Sequence, residues 1–274
     1  MSLKIGICSR SFSKNEELVK ELSQLDCTAV YHEGSATLCD KVLIEFLHDK
    51  TLAILGLEKV TSKVLDACPK LKVICKMGTG TDKIDLDELK RRNIAFFNTP
   101  GFNKHAVAEL VLALALMLIR QLPVNISHVK NQQWKQHLGG ELRGKRLGVL
   151  GFGAIGQEVA RVFSALGCSV VAHDINRSVI EQTDGVDFVS KQALFSQSDI
   201  ISIHIPLFDS TRTCVDKDLV YSIQPGSLLI NTSRGEVIDQ GALIARLLKG
   251  DIQAGLDVLH HEPLVDFSVA ELPN

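Results

Sequence analysis

Lys145–Asp174 reads KRLGVLGFGAIGQEVARVFSALGCSVVAHD. An apolar run, Leu147 to Leu150, breaks into Gly151-Phe152-Gly153-Ala154-Ile155-Gly156. A helical pattern follows, with Ile155, Val159, Val162, Phe163 and Leu166 on one face, and Gly167 stops it. A second apolar run, Ser169 to Ala172, ends at Asp174. This is strand, glycine turn, helix, strand, acid. Gly151 allows the tight turn, Gly153 lets the backbone approach a pyrophosphate, and Gly156 lets helix and strand pack closely. The helix N-terminus offers unpaired N–H groups and a positive dipole end to phosphates. Asp174 is placed to accept hydrogen bonds from ribose hydroxyls and to repel a 2′-phosphate. The stretch therefore predicts a dinucleotide site that prefers NAD to NADP, with nearby Arg177 as the one residue favouring the opposite choice.

Outward from this unit, strands and helices alternate in both directions. Upstream, residues 3–8, 28–31, 52–55, 71–75 and 94–97 read as strands. Helices are expected at 14–25, 38–48, 61–68 and 85–92. Such alternation implies a parallel sheet covered on both faces. Thr99-Pro100-Gly101 punctuates the chain, giving domains at 1–99 and 100–274. Lys104 to Arg120 is apolar on almost every side, and a helix of that kind is buried all round, between domains or between subunits. A helix at 124–136 carries Trp134, read as a packing anchor. Downstream, strands are expected at 186–189, 200–203, 227–230 and 253–258, with Asp239 capping a helix that Gly250 stops.

Composition narrows the class. The 274 residues carry a formal charge of −2, which gives no bulk attraction to nucleic acid or anionic membrane. The longest apolar run, Leu110 to Ile119, is too short to span a bilayer. Seven scattered cysteines without a CxxC pair suit a reducing cytoplasmic compartment and suggest neither disulfides nor a metal site. Neither a nucleic-acid partner nor membrane association is expected.

Ligands of open parallel sheets bind beyond the carboxyl ends of the strands. In the second domain those ends supply the glycine turn, Asp174, His204 with Pro206, Asn231 to Arg234, and Asp257 with Glu262 beyond. Arg234, in a tight loop after a buried strand, either reaches solvent or meets an anion, and its planar fork fits a carboxylate. Asp257 either holds a polar group of the cofactor or serves a turn. His260-His261-Glu262-Pro263 alone is more often an exposed polar loop than an acid–base pair. In the first domain Lys76-Met77-Gly78-Thr79-Gly80 follows a strand; its bare N–H groups and lysine suit an anionic substrate head, or form a simple turn.

Five segments in this order and spacing carry a resemblance: MGTGTDKIDLDELKRRNIAFFNTPGFNKHAVAEL (77–110), GKRLGVLGFGAIG (144–156), SIHIPL (202–207), LLINTSRGEVID (228–239) and LDVLHHEPL (256–264). Together they resemble the D-isomer-specific 2-hydroxyacid dehydrogenases, most of all the D-3-phosphoglycerate dehydrogenases, over about residues 50 to 274. The resemblance implies two doubly wound α/β domains, a flavodoxin-like substrate domain and a Rossmann NAD-binding domain. It implies a hydride exchanged between NAD(H) and a D-2-hydroxy acid or its 2-keto acid, bound in the cleft between domains. Arg234 and Glu262 become the catalytic residues. Gly151, Gly153, Ala154, Ile155, Gly156, Asp174, His204, Pro206, Thr232, Ser233 and Asp257 become cofactor contacts. Lys76, Gly78, Thr79, Gly80 and Arg234 become substrate contacts. It also implies a homodimer involving the 104–120 helix.

Two departures qualify it. The family's glutamate orients a proton-donating histidine in a TPH-type segment that would follow Asn274, so the chain as written is expected to bind NADH but turn over slowly, and a longer natural protein is expected. Leu55-Gly56-Leu57-Glu58 lacks the arginine that some phosphoglycerate enzymes use for phosphate. The alternative to an enzyme is an NAD-responsive binding protein of corepressor type.

Overall fold

The protein is described by a computed structural model over residues 3–34, 37–260, 262 and 272. It consists of two compact units, Met1–Asn103 and Lys104–Asn274. The Thr99-Pro100-Gly101 turn stays with the first unit. The Thr99 hydroxyl accepts from the Gly78 N–H at 3.1 Å, and the Thr79 hydroxyl donates to Asn103 Oδ1 at 3.2 Å.

In the first unit, strands β1 (Leu3–Ile7), β2 (Cys27–Tyr31), β3 (Leu52–Leu55), β4 (Val73–Lys76) and β5 (Ala95–Asn98) form one sheet in the order β2-β1-β3-β4-β5. Every pairing is parallel, with Leu3 beside Cys27 and Ile5 beside Leu52. This is the flavodoxin-like order, which reverses direction between β1 and β3. The second unit holds β6 (Arg146–Leu150), β7 (Ser169–His173), β8 (Val186–Phe188), β9 (Ile200–Ile203), β10 (Leu228–Asn231) and β11 (Gln253–Leu256). Their order, β11-β10-β9-β6-β7-β8, is again all parallel and is the Rossmann order, reversing between β6 and β9.

The central strands are continuous apolar runs because both faces are covered. All of β9 and β10 is buried. On one face Val159, Ala160 and Phe163 of the Ala154–Ala165 helix pack with Ala108, Val111 and Ala115 of the Lys104–Ile119 helix. On the other, Leu194, Phe195, Leu219, Val220, Leu243 and Leu247 form the second layer.

Four sequence expectations need correction. The helix expected at 14–25 is two, Arg10–Ser13 and Glu16–Ser23, because Asn15 breaks the run and its side chain caps Leu18 N. The helix expected at 124–136 is Leu122–Lys130; Gln132 turns left-handed (φ 58°) and stops any continuation. Trp134 is therefore off the helix and 94% exposed, not a packing anchor. The Lys104–Ile119 helix is not buried all round by the described residues of its own chain: Ala108, Val111 and Ala115 are buried, and Leu110, Leu116 and Met117 are exposed. Among the described residues no single helix is long and apolar enough to cross a membrane; this helix and its successor pass together only as a pair bent by 62°.

Arg246 is the most heavily bonded buried charge of the second unit. At 3% exposure it donates to the carbonyls of Val220 (2.8 Å), Tyr221 (3.0 Å) and Ile223 (2.8 Å) and pairs with Asp251 at 2.9 Å. It thereby satisfies the last turn of the Lys217–Ser222 helix. Arg246→Met should cost ~3–5 kcal/mol, because it orphans buried carbonyls and an aspartate. Urea denaturation reads this; a loss under ~1 kcal/mol would show that water replaces the guanidinium.

Candidate active site

The glycine turn at the end of β6 has three distinct geometries. Gly151 is left-handed (φ 90°), and a Cβ there would lie 2.7 Å from the His204 carbonyl oxygen. At Gly156 a Cβ would lie 2.1 Å from the Gly151 carbonyl oxygen, so the helix can meet the strand only if this residue is glycine. Gly153 differs: a Cβ would meet nothing within 4 Å. Packing leaves that space open at the start of the Ala154–Ala165 helix, whose N-cap, Gly153 itself, has no side chain to bond the first N–H groups. Ala154 and Ile155 form the first turn. An open cradle of uncapped donors at a helix start suits a pyrophosphate.

Asp174 closes the turn from β7. Its Oδ2 accepts from Phe152 N at 2.6 Å and its Oδ1 from Asn176 N at 2.8 Å, so the carboxylate is fixed beside the glycines with further lone pairs to offer. Arg177 is held by Glu181 at 2.6 Å, with its guanidinium 4.7 Å from the Phe188 ring centroid. That engagement competes with binding a 2′-phosphate.

At the end of β9, His204 bonds Ser202 Oγ through Nε2 at 2.7 Å, and its own N–H donates to the Leu150 carbonyl at 2.7 Å. Burial lowers its pKa to about 4, which keeps the ring neutral at neutral pH. Pro206 follows on the surface.

Beyond β10, Asn231 builds the loop. It is 1% exposed; Nδ2 donates to the Arg234 carbonyl at 2.8 Å, and Oδ1 accepts from Ser233 N (3.0 Å) and Ser233 Oγ (2.8 Å). Arg234 is extended (φ −145°) and bonds the Ser233 carbonyl through Nη1 at 2.7 Å. Thr232 Oγ1 is buried without a hydrogen-bond partner among the described residues. Gly235 supports the next segment: a Cβ there would lie 2.3 Å from the Leu259 carbonyl carbon and 2.5 Å from His260 N. Beside it Glu262 Oε1 accepts from Leu259 N at 2.8 Å, while His260 Nε2 bonds the Ile238 carbonyl at 3.1 Å. Asp257 is exposed just past β11, its N–H on the Asn231 carbonyl at 3.0 Å. His261 lies outside the described residues.

In the first unit, Lys76 is buried with its ammonium on the Gly56 carbonyl. Gly78 N–H is taken by Thr99 Oγ1. The N–H groups of Thr79 and Gly80 have no partner among the described residues, so they are the donors that this loop offers.

Two positioning residues escaped assignment in the sequence. Ser202 stands two residues before His204 on the same strand face, a spacing that places side chains together. Asn231 stands two before Ser233, the signature of an Asx turn.

The contrast between two glycines is testable. Gly153→Ala should leave the unfolding midpoint unchanged and weaken NADH binding about tenfold or more, because its methyl enters the phosphate cradle. Gly156→Ala should destabilise the fold itself. Titration of NADH by fluorescence beside thermal melts separates them; a Gly153→Ala protein that binds normally would place the pyrophosphate elsewhere. His204 gives a pH signature. Its folded pKa, about 4, lies below the ordinary 6.5, so its stabilising contribution is complete above 6.5 and is lost as pH falls toward 4. His204→Asn should flatten the urea midpoint across that interval, and an unchanged slope would show the imidazole is solvated.

The sequence model of the D-isomer specific 2-hydroxyacid dehydrogenase NAD binding domain matches residues 112–274. A hydroxypyruvate reductase of Thermotoga maritima is 35% identical over 258 residues, covering 92% of this chain and 83% of that protein. A D-3-phosphoglycerate dehydrogenase of Mycobacterium bovis is 35% identical over 237 residues, covering 85% of this chain but only 45% of the relative. Among solved structures, a D-lactate dehydrogenase from Aquifex aeolicus, complexed with NAD and lactic acid, superposes with a TM-score of 0.80. It shares 28% identity and covers 94% of this chain and 77% of that one. The chain belongs to the D-isomer specific 2-hydroxyacid dehydrogenase family.

Proposed function

We propose that this chain interconverts a D-2-hydroxy acid and its 2-keto acid with NAD, as a cytoplasmic homodimer. The observation that carries the reading is the Asn231-built loop. It presents Arg234 and the unpartnered Thr232 hydroxyl at the same end of the sheet as the glycine turn. Bound NAD(H) supplies the hydride chemistry. The protein's own part is binding, orientation and charge.

The Ala154–Ala165 helix start and Gly153 hold the pyrophosphate, Asp174 the ribose, and Thr232 and Asp257 polar groups of the nicotinamide half. Arg234 grips the substrate carboxylate and stabilises negative charge growing on the carbonyl oxygen during reduction, as a preorganised cation does. In the first unit, the Thr79 and Gly80 N–H groups are donors suited to an anion. Glu262, steadied by the Leu259 N–H, positions the acid that protonates the alkoxide. Neutral His204 borders the pocket without adding charge.

Dimer formation is supported by the exposed apolar side chains of Leu110, Leu116 and Met117, continued by Leu122, Ile126 and Val129, a face that needs a cover. The reducing compartment is supported by seven unpaired cysteines.

Oxidation of NADH by 2-keto acids, followed by absorbance, tests the activity. Arg234→Ala should lower kcat/KM ~10²–10³-fold while leaving NADH affinity nearly unchanged. Arg234→Lys should recover only part, since an ammonium lacks the planar fork. A fully active lysine variant would make Arg234 structural.

A further inference from the structure

Imidazole is the commonest protein ligand of transition metals, and in the second unit two histidines meet each other. His128 lies in the last turn of the Leu122–Lys130 helix, and His137 on the irregular stretch that follows it. His137 Nε2 is 3.2 Å from His128 Nδ1, and the rings stack with centroids 4.9 Å apart and planes 27° from parallel. The other described histidines bond backbone, Glu158 or Ser202 rather than one another.

The separation of those nitrogens is that of two ligands on one metal. Nitrogens bound at ~2.0–2.1 Å lie about 3.3–3.4 Å apart at the tetrahedral angle and about 2.9 Å apart at a right angle. The 3.2 Å found here falls between the two. Without metal, one ring donates its N–H to the other. If that proton moves to the second nitrogen of its own ring, both neutral imidazoles offer a lone pair and no net proton is released. A small turn of the rings then aims both lone pairs at one point beside the nitrogens.

The pair is also where the following segment meets the helix. From 131 to 140 every residue is exposed except His137, which is half-buried, as is His128. Backbone bonds hold the segment toward its two ends, Gln133 N on the His128 carbonyl and Gly140 N on the Ile119 carbonyl, both at 2.8 Å. Between these ends the histidine contact is the tie. At about 3.6 residues per turn, His128 stands at least about 100° round the helix from Leu122, Ile126 and Val129. A cover over that exposed apolar stripe therefore does not require the histidines.

The geometry points to a transition-metal site at His128 and His137, taking zinc or another divalent ion that favours imidazole. Its occupation clasps the 133–140 segment to the helix. Among the described residues no three His, Cys, Asp or Glu side chains converge on a metal position, so the protein supplies two ligands and water completes the shell.

The experiment titrates zinc chloride calorimetrically into the metal-free full chain, and follows tryptic cleavage after the exposed Lys135 with and without zinc. Wild type should bind one zinc per chain, and zinc should slow that cleavage severalfold, reversibly on adding a chelator. His128→Ala and His137→Ala should each weaken zinc by about tenfold or more, since losing a ligand costs at least what losing an outer-shell partner does. Both should also abolish the protection of Lys135. His48→Ala and Cys39→Ser, which remove exposed ligand types elsewhere, should bind as wild type does. Where removing a ring lowers the zinc-free melting midpoint, His137→Asn gives the same reading, because it keeps a hydrogen-bond partner for His128 and is a poor zinc ligand. No zinc bound by wild type, affinity unchanged in the His128 and His137 variants, or binding that leaves Lys135 equally open to trypsin would each overturn the inference.

Discussion

The Gly151 carbonyl and the Gly156 backbone approach so closely that a single methyl group would collide at 2.1 Å. That contact seats the Ala154–Ala165 helix directly on β6. Because the helix is pinned there, its uncapped N–H groups open onto the carboxyl end of the sheet instead of onto solvent beside it. Asp174 is tied to Phe152 N within the same turn, and His204 contributes the carbonyl that Gly151 must clear. A cradle suited to an anion is thus a by-product of close helix–strand packing.

The Asn231 loop solves a different problem, that of orienting a cation at the end of a buried strand. Arg234 Nη1 bonds the Ser233 carbonyl while Asn231 bonds the Arg234 carbonyl. The loop thus fixes the guanidinium from its own backbone at the end of β10. The cost is a buried amide that must be satisfied at every atom, and Asn231 achieves this with three bonds.

Period and punctuation made most of the fold legible. The apolar runs at 147–150, 200–203 and 227–230 found their strands because a strand buried on both faces has no polar alternation to confuse it. The tight turn at Gly151 and the close helix–strand packing at Gly156 followed from their spacing. What failed was local competition: Asn15, a residue able to continue a helix or start one, starts one here, and no apolar period reveals that choice. Trp134 was misplaced because its neighbours read as helical while Gln132 adopts a left-handed backbone. Lys76 looked available for an anion, since a sequence cannot show that its ammonium is turned inward to the Gly56 carbonyl. The burial of Glu58, in a turn read in the sequence only for its lack of an arginine, is likewise invisible to period and composition.

The sole tryptophan stands almost wholly in water, in a stretch without regular structure, and not in either core. Its emission in the folded chain is therefore already that of a hydrated indole, and loss of the cores alters its surroundings little. Intrinsic tryptophan fluorescence is accordingly a poor reporter of unfolding for this protein. It is a sensitive reporter of anything that comes to lie on the 132–138 segment, because any covering of Trp134 shifts the spectrum against a background free of other indoles.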